Sequence, residues 1–132
     1  MKAVGTTFLI DVLKNNKDAL LKSLELDKEP MIFTTEANVY EIVSGIWQQK
    51  TNKERALNEL ETLINKLTVL PLDHKASLKA GQISGTLMQQ GKMIDDLDCI
   101  MAGIVLTNGC DTIVTRNSRH FKRIEGLNIE EY

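Results

Sequence analysis

Cysteine is scarce in this sequence. Only Cys99 and Cys110 occur, and neither belongs to a C-x-x-C pair or a Cys/His cluster, so zinc-finger and thiol–disulfide chemistry have no residues to work with. Both sit among apolar neighbours, the usual setting of buried free thiols. Aromatic residues are few, with three Phe, two Tyr and one Trp, too few for the stacking platform of a general single-strand binder. No uncharged stretch exceeds the 12 residues of Cys99–Cys110, against the roughly 20 apolar residues that span a bilayer, which excludes a membrane protein of the helical kind. Neither sign of charge dominates. The 16 Lys+Arg and 18 Asp+Glu leave a net charge of −2, which argues against a broad basic surface for duplex DNA. Any nucleic-acid chemistry then rests on a local site. Near the start, eight uncharged residues separate Lys2 from Asp11 with no small-residue cleavage site after them; no secretory signal is expected, and the cytoplasm is the expected location.

What is present is an ordinary globular composition, 132 residues with 42% hydrophobic, enough to bury roughly two thirds of the unfolded surface without disulfides or a structural metal. There is no internal repeat, low-complexity tract or linker, so one domain over residues 1–132 is expected. Short β-branched or aliphatic runs at Lys2–Gly5, Met31–Thr34, Leu67–Leu70, Thr112–Thr115 and Leu127–Ile129 read as strands. Helical patterns fill the intervals: Thr6–Lys14, Lys17–Leu26, Ala37–Gln49, Asn52–Asn65 and His74–Gln90. In the third of these, Val39, Val43, Ile46 and Trp47 form the expected buried stripe. Asn52 and Asp73 are candidate N-caps, and Gly91 a left-handed C-cap. Asp95 is the candidate N-cap of a last helix that carries no charge from Cys99 to Thr107 before Asn108-Gly109 stops it, the signature of a helix buried nearly all round. Alternation of this kind predicts an α/β fold, a three-layer α/β/α domain with a mostly parallel central sheet.

In open parallel sheets, ligands bind at the carboxyl ends of the strands. That rule selects Gly5-Thr6-Thr7, Thr34-Thr35-Glu36, Asp73, Thr115-Arg116-Asn117 and the acids Asp95, Asp96 and Asp98 that open the apolar helix. Asp111, before the fourth strand, belongs at the opposite edge. Asp98 shares a helical stripe with Ala102 and Val105, so its carboxylate stands at the edge of a low-dielectric region and wants a partner. Either it serves the helix dipole or it is a ligand for a divalent metal, since Mg²⁺ and Mn²⁺ take carboxylate oxygens. Periodicity does not single out Glu41, which falls on the polar side of its helix, although that helix starts beside a strand end. Asn117 reads as a turn or capping residue or as an amide ligand. Arg116, Arg119, Lys122 and Arg123 place four positive charges in eight residues, a solvated surface or a hold for phosphates. His74 and His120 have no paired nucleophile and read as structural. Trp47 reads as core or dimer interface rather than as an RNA contact.

Four segments together resemble the PIN-domain family. Val4-Gly5-Thr6-Thr7-Phe8-Leu9-Ile10-Asp11 is similar to its opening, a strand ending in Asp-Thr-Ser/Asn/Thr and an aliphatic stretch. Thr35-Glu36-Ala37-Asn38-Val39-Tyr40-Glu41 is similar to its second segment, Asp98-Cys99-Ile100-Met101-Ala102 to its third, and Thr115-Arg116-Asn117-Ser118-Arg119-His120-Phe121 to its fourth. The likeness spans essentially the whole chain in register. It implies a ribonuclease cutting single-stranded RNA with Mg²⁺ or Mn²⁺. Small single-domain prokaryotic members are mostly VapC-type toxins, commonly homodimers neutralised by a cognate antitoxin whose tail fills the acidic groove. By position, Asp98 and Glu41 would be metal ligands, Asn117 would replace the variable fourth polar residue, and Thr6 or Thr7 would orient a ligand or water. The family's first-strand acid, however, maps to Gly5, which has no side chain. Fewer carboxylates offset less of a cation's dehydration, so the resemblance implies reduced or abolished activity unless Asp95, Asp96 or Asp11 compensates. Asp95 is first among them because it begins the same helix as Asp98; Asp11, one turn past Thr7, reads as surface or structural. An introduced substitution and natural divergence would both give this pattern, and a non-catalytic RNA- or protein-binding module on the same fold is the alternative. A response-regulator receiver would need an acid pair where Gly5-Thr6-Thr7 stands and a Lys after the last strand, and has neither.

Overall fold

The chain alternates strand and helix throughout, and the computed structural model describes all of residues 1–132. In order the elements are β1 (Lys2–Val4), α1 (Thr6–Leu13), α2 (Lys17–Leu26), β2 (Ile32–Thr35), α3 (Glu36–Trp47), α4 (Lys53–Ile64), β3 (Thr68–Leu70), α5 (His74–Gln89), α6 (Asp96–Thr107), β4 (Thr112–Val114), α7 (Ser118–Phe121) and β5 (Asn128–Glu130). The five strands form one sheet in the order β3-β2-β1-β4-β5. Every pairing is parallel, with Ala3 opposite Phe33 and Val4 opposite Val114 across the central strand. Parallel neighbours need long crossovers, and the helices supply them.

Strand period divides the core in two. Ala3, Phe33, Leu70 and Ile113 point to one face, where they meet Ala76, Ile83, Met101 and Ile104 of α5 and α6. Val4 and Val114 point to the other, against Phe8 and Leu9 of α1, Ile42 and Ile46 of α3 and Leu60 of α4. This is the expected three-layer α/β architecture. Helix α6 is buried along its length as its composition predicts, with Cys99, Met101, Ala102, Ile104 and Val105 all in the core. Gly103 lets it approach α5: a Cβ there would lie 2.7 Å from the Ala80 nitrogen and 2.8 Å from the Ala76 carbonyl oxygen. Burial pushes the Cys99 and Cys110 thiols above the ordinary range, as expected for inert core cysteines. No helix is long and apolar enough to cross a membrane.

Several local expectations are met and others corrected. Asp73 caps α5 by accepting from the Ala76 N–H at 2.9 Å, and Gly91 adopts φ +67° just past its end. Asn52 is left-handed, with φ +61°, and its side chain caps nothing. Asp95 stands at the N-cap of α6 without a capping bond; its carboxylate is turned to a cluster described below. The buried stripe of α3 runs through Ala37, Asn38, Ile42 and Ile46, rotated from the expected one. Val39 and Val43 flank it, and Trp47 is 61% exposed, outside the core, with the Lys53 Nζ 5.4 Å above its ring. The rotation follows from a capping box at Thr35 and Asn38 that fixes the start of the helix against the sheet.

Candidate metal centre

From β1 the chain steps outward to β2 and β3, then returns over the sheet through α5 and α6 to lay β4 on the other side of β1. The carboxyl ends of β1 and β4 are therefore the topological switch point, where helices leave in opposite directions and open a crevice. Gly5 follows β1 there and Thr115 follows β4. The Thr7 and Thr115 hydroxyls are 3.4 Å apart across the gap. A cavity of about 280 Å³ opens at this point. Its walls include Gly5, Thr6, Glu41, Asp95, Asp98 and Asn117, six residues drawn from four separated segments of the sequence.

Three potential ligand atoms converge most closely. Those of Asp95, Asp98 and His120 all lie within 4.8 Å of one another. Asp98 Oδ2 is 3.0 Å from His120 Nδ1, with the two side chains 21% and 30% exposed. Burial pushes the Asp98 carboxyl above the ordinary carboxylate range; the hydrogen bond and charge of His120 pull it back, and the negative charges of Asp95 and Glu41 push it up again. His120 thus stands against the acids of the cavity, a contact that its place in the sequence did not show. It lies two residues into a helix that starts at the end of β4. Only four residues long, α7 is too short to show a period.

Asn38 is the other residue that sequence reasoning missed. Its side chain accepts from the Thr35 hydroxyl at 2.7 Å and from the Thr35 N–H at 3.2 Å. Its amide donates to Thr6 Oγ1 at 3.1 Å and to Met101 Sδ at 3.4 Å. Asn38 therefore ties β2, α1 and α6 together at the cavity wall, with every buried polar side-chain atom satisfied. The Thr6 hydroxyl, accepting from Asn38, is thereby held at the cavity wall.

Other candidates fall elsewhere. Asp96 is exposed and does not line the cavity. Asp11 accepts from Tyr132 Oη at 2.6 Å and faces Arg116 at 3.4 Å, a structural use. Thr34 is buried, donating to the Val4 carbonyl. Of the four clustered cations, Arg116 lies over the Tyr132 ring at 5.1 Å, Lys122 pairs with Glu131, and Arg123 donates to the Met93 carbonyl at 3.0 Å. Arg119 alone is exposed without an ion pair. A second hollow of about 320 Å³ opens under α1 and α2, lined by Phe8, Leu9, Leu26 and Leu67; it is mainly apolar and gathers no such group of convergent acids.

The donor set fits a divalent cation. Asp98 is half-buried, has no Lys or Arg partner, and shares a cavity with two further carboxylates, an excess of negative charge that a cation would neutralise. The chain is similar to known proteins along nearly its whole length. A tRNA(fMet)-specific endonuclease VapC of Shigella flexneri is 28% identical over 129 residues, covering 98% of this chain and 96% of that protein. Ribonuclease VapC2 of Rickettsia felis is 25% identical over 130 residues, covering 98% and 96%. Among solved structures, DNA-bound VapBC from Salmonella typhimurium superposes with a TM-score of 0.86 at 28% identity over 98% of this chain and 96% of that one. VapBC2 from Rickettsia felis bound to a promoter DNA fragment gives 0.89 at 23% identity over 99% and 98%, a likeness of fold. The PIN domain family model matches residues 3–127. With the family model spanning residues 3–127 of the 132, the chain belongs to the PIN-domain family.

Proposed function

We propose that this chain is a metal-dependent endoribonuclease of the VapC type, the toxin of a toxin–antitoxin pair, cleaving single-stranded RNA phosphodiesters in the cytoplasm. The observation that carries the reading is the meeting of Glu41, Asp95 and Asp98 in one crevice at the switch point. The relatives named endonuclease and ribonuclease, and the solved toxin–antitoxin assemblies, support it. Residues 1–132 act as one catalytic unit, working as a homodimer and silenced by an antitoxin segment in the acidic crevice. Tyr40 and Trp47, 65% and 61% exposed on α3, are large apolar groups of the kind interfaces use.

Asp98, Glu41 and Asp95 would hold Mg²⁺ or Mn²⁺, with the Asn117 amide at the rim. Such a cation, when bound, supplies Lewis-acid stabilisation of the scissile phosphate and an activated water. Thr6, held at the cavity wall by Asn38, would orient a ligand carboxylate or a water. Arg119 contacts the RNA backbone, which positions the strand without reading its sequence. Gly5 supplies no carboxylate, so this chain works below the rate of a member with an acid there. Incubation of a mixed RNA pool with the protein, in Mg²⁺, in Mn²⁺ and in chelator, tests the reading, with Asp98→Asn as the control. Cleavage that needs metal and falls on the order of a hundredfold or more in Asp98→Asn is expected. Cleavage untouched by chelator overturns it. Absence of cleavage in every condition, with RNA still bound, favours the non-catalytic module that the missing first-strand acid would permit.

A further inference from the structure

Gly5 leaves the metal centre short of an oxygen donor, and His120 stands where another donor can enter. Its Nδ1 is 3.0 Å from Asp98 Oδ2. Two neighbouring ligands of a six-coordinate ion with bonds of about 2.1 Å are separated by about 3.0 Å, the bond length times the square root of two. The pair is thus already spaced as adjacent ligands would be. His120 is held there firmly: Phe121 beside it and Ile124 in the following turn are both buried in the core. Asp95 is exposed, so a rotamer change can bring its carboxylate in from the wider spacing of the cluster. Imidazole nitrogen is a softer donor than carboxylate and raises affinity for Mn²⁺ and later metals relative to Mg²⁺, which favours oxygen alone.

Resting on the reading of this crevice as a metal centre, we propose that His120 is a nitrogen ligand of the divalent cation beside the Asp98 carboxylate, and that it turns the centre from Mg²⁺ toward Mn²⁺. The alternative use of His120 is as a hydrogen-bond donor that merely positions Asp98.

The two are separated by pulsed electron paramagnetic resonance of Mn²⁺ bound to the full chain, with and without ¹⁵N-labelled histidine, beside calorimetric titration of Mn²⁺ and Mg²⁺. A ¹⁴N coupling that changes to ¹⁵N on labelling is expected, with no variant needed. In His120→Gln the coupling disappears and Mn²⁺ affinity falls about tenfold or more, while Mg²⁺ affinity changes by less than about threefold. Bound Mn²⁺ without nitrogen coupling, or equal losses for the two cations in His120→Gln, overturns the proposal and leaves the metal-centre reading standing. No binding of either cation overturns both.

Discussion

Replacing Gly5 by Asp should restore a carboxylate to the end of the central strand, and the structure sets the scale of its effects. Gly5 has φ −92° and ψ 179°, an extended conformation open to any residue. A Cβ there would meet only Met101 Cε and Sδ, both at 3.8 Å, ordinary van der Waals contact. Gly5 is also the N-cap of α1, without a side-chain capping bond, so Asp gains a few tenths of a kcal/mol at most. Against this stands repulsion from the acids already present. At about 5 Å and an effective dielectric of about 20, a like-charge pair costs roughly 3 kcal/mol. Solvent around exposed Asp95 and partly open Asp98 screens most of that, leaving a net loss on the order of 1 kcal/mol in chelator. Bound cation reverses the sign, because every carboxylate then faces a positive charge. Gly5→Asp should therefore unfold a few degrees below the parent in chelator, bind Mn²⁺ or Mg²⁺ at least about tenfold more tightly, and cleave RNA faster. Thermal unfolding with and without metal, calorimetry and RNA cleavage of the two proteins measure each part. A correctly folded Gly5→Asp protein with unchanged metal affinity and activity would refute the reasoning and show that a carboxylate at the end of β1 does not reach the cation.

The interlocked helices give a pair of opposite substitutions. Gly103→Ala pushes a methyl into the Ala76 and Ala80 backbone at 2.7–2.8 Å and should cost about 1–3 kcal/mol or more, whereas Gly81→Ala, on the exposed face of α5 with nothing within 4 Å, should gain about 0.5–1 kcal/mol; denaturant midpoints compare them. Stability should also fall in alkali through Tyr132. Burial first, then its hydrogen bond to Asp11 and the charge of that carboxylate, push its hydroxyl up to about 12. The folded chain holds this proton where the unfolded one releases it near the ordinary value of about 10, so this contribution is complete below about 10 and is lost as pH rises through about 12. Tyr132→Phe should flatten the fall in unfolding midpoint over that window.

How much of this was written in the sequence depends on the range over which each feature is encoded. Local signals were legible. The strand runs and helical intervals were found to within a few residues, Asp73 and Gly91 act at the helix ends where their chemistry places them, and the uncharged run from Cys99 to Thr107 foretold a buried helix with Asp98 at its polar mouth. The four family segments likewise pointed to the crevice residues, although pattern alone left Glu41 indistinguishable from a solvated glutamate.

Other features depend on which distant segments become neighbours. The order β3-β2-β1-β4-β5 brings the ends of β1 and β4 together although more than 100 residues separate Gly5 from Thr115, and no local periodicity encodes that pairing. A helical wheel admits several nearly equivalent stripes, so only the docking of α3 through Thr35 and Asn38 decided that Ile42 would be buried and Trp47 exposed. His120 meets the acids of the cavity because β4 delivers a single turn of helix beside α6, a turn too short to announce itself. The amino-acid sequence by itself determined the elements, their caps and the chemistry available at their ends. Tertiary structure alone decided which of those groups share one cavity, because burial and charge proximity arise only when segments far apart in the chain are packed together.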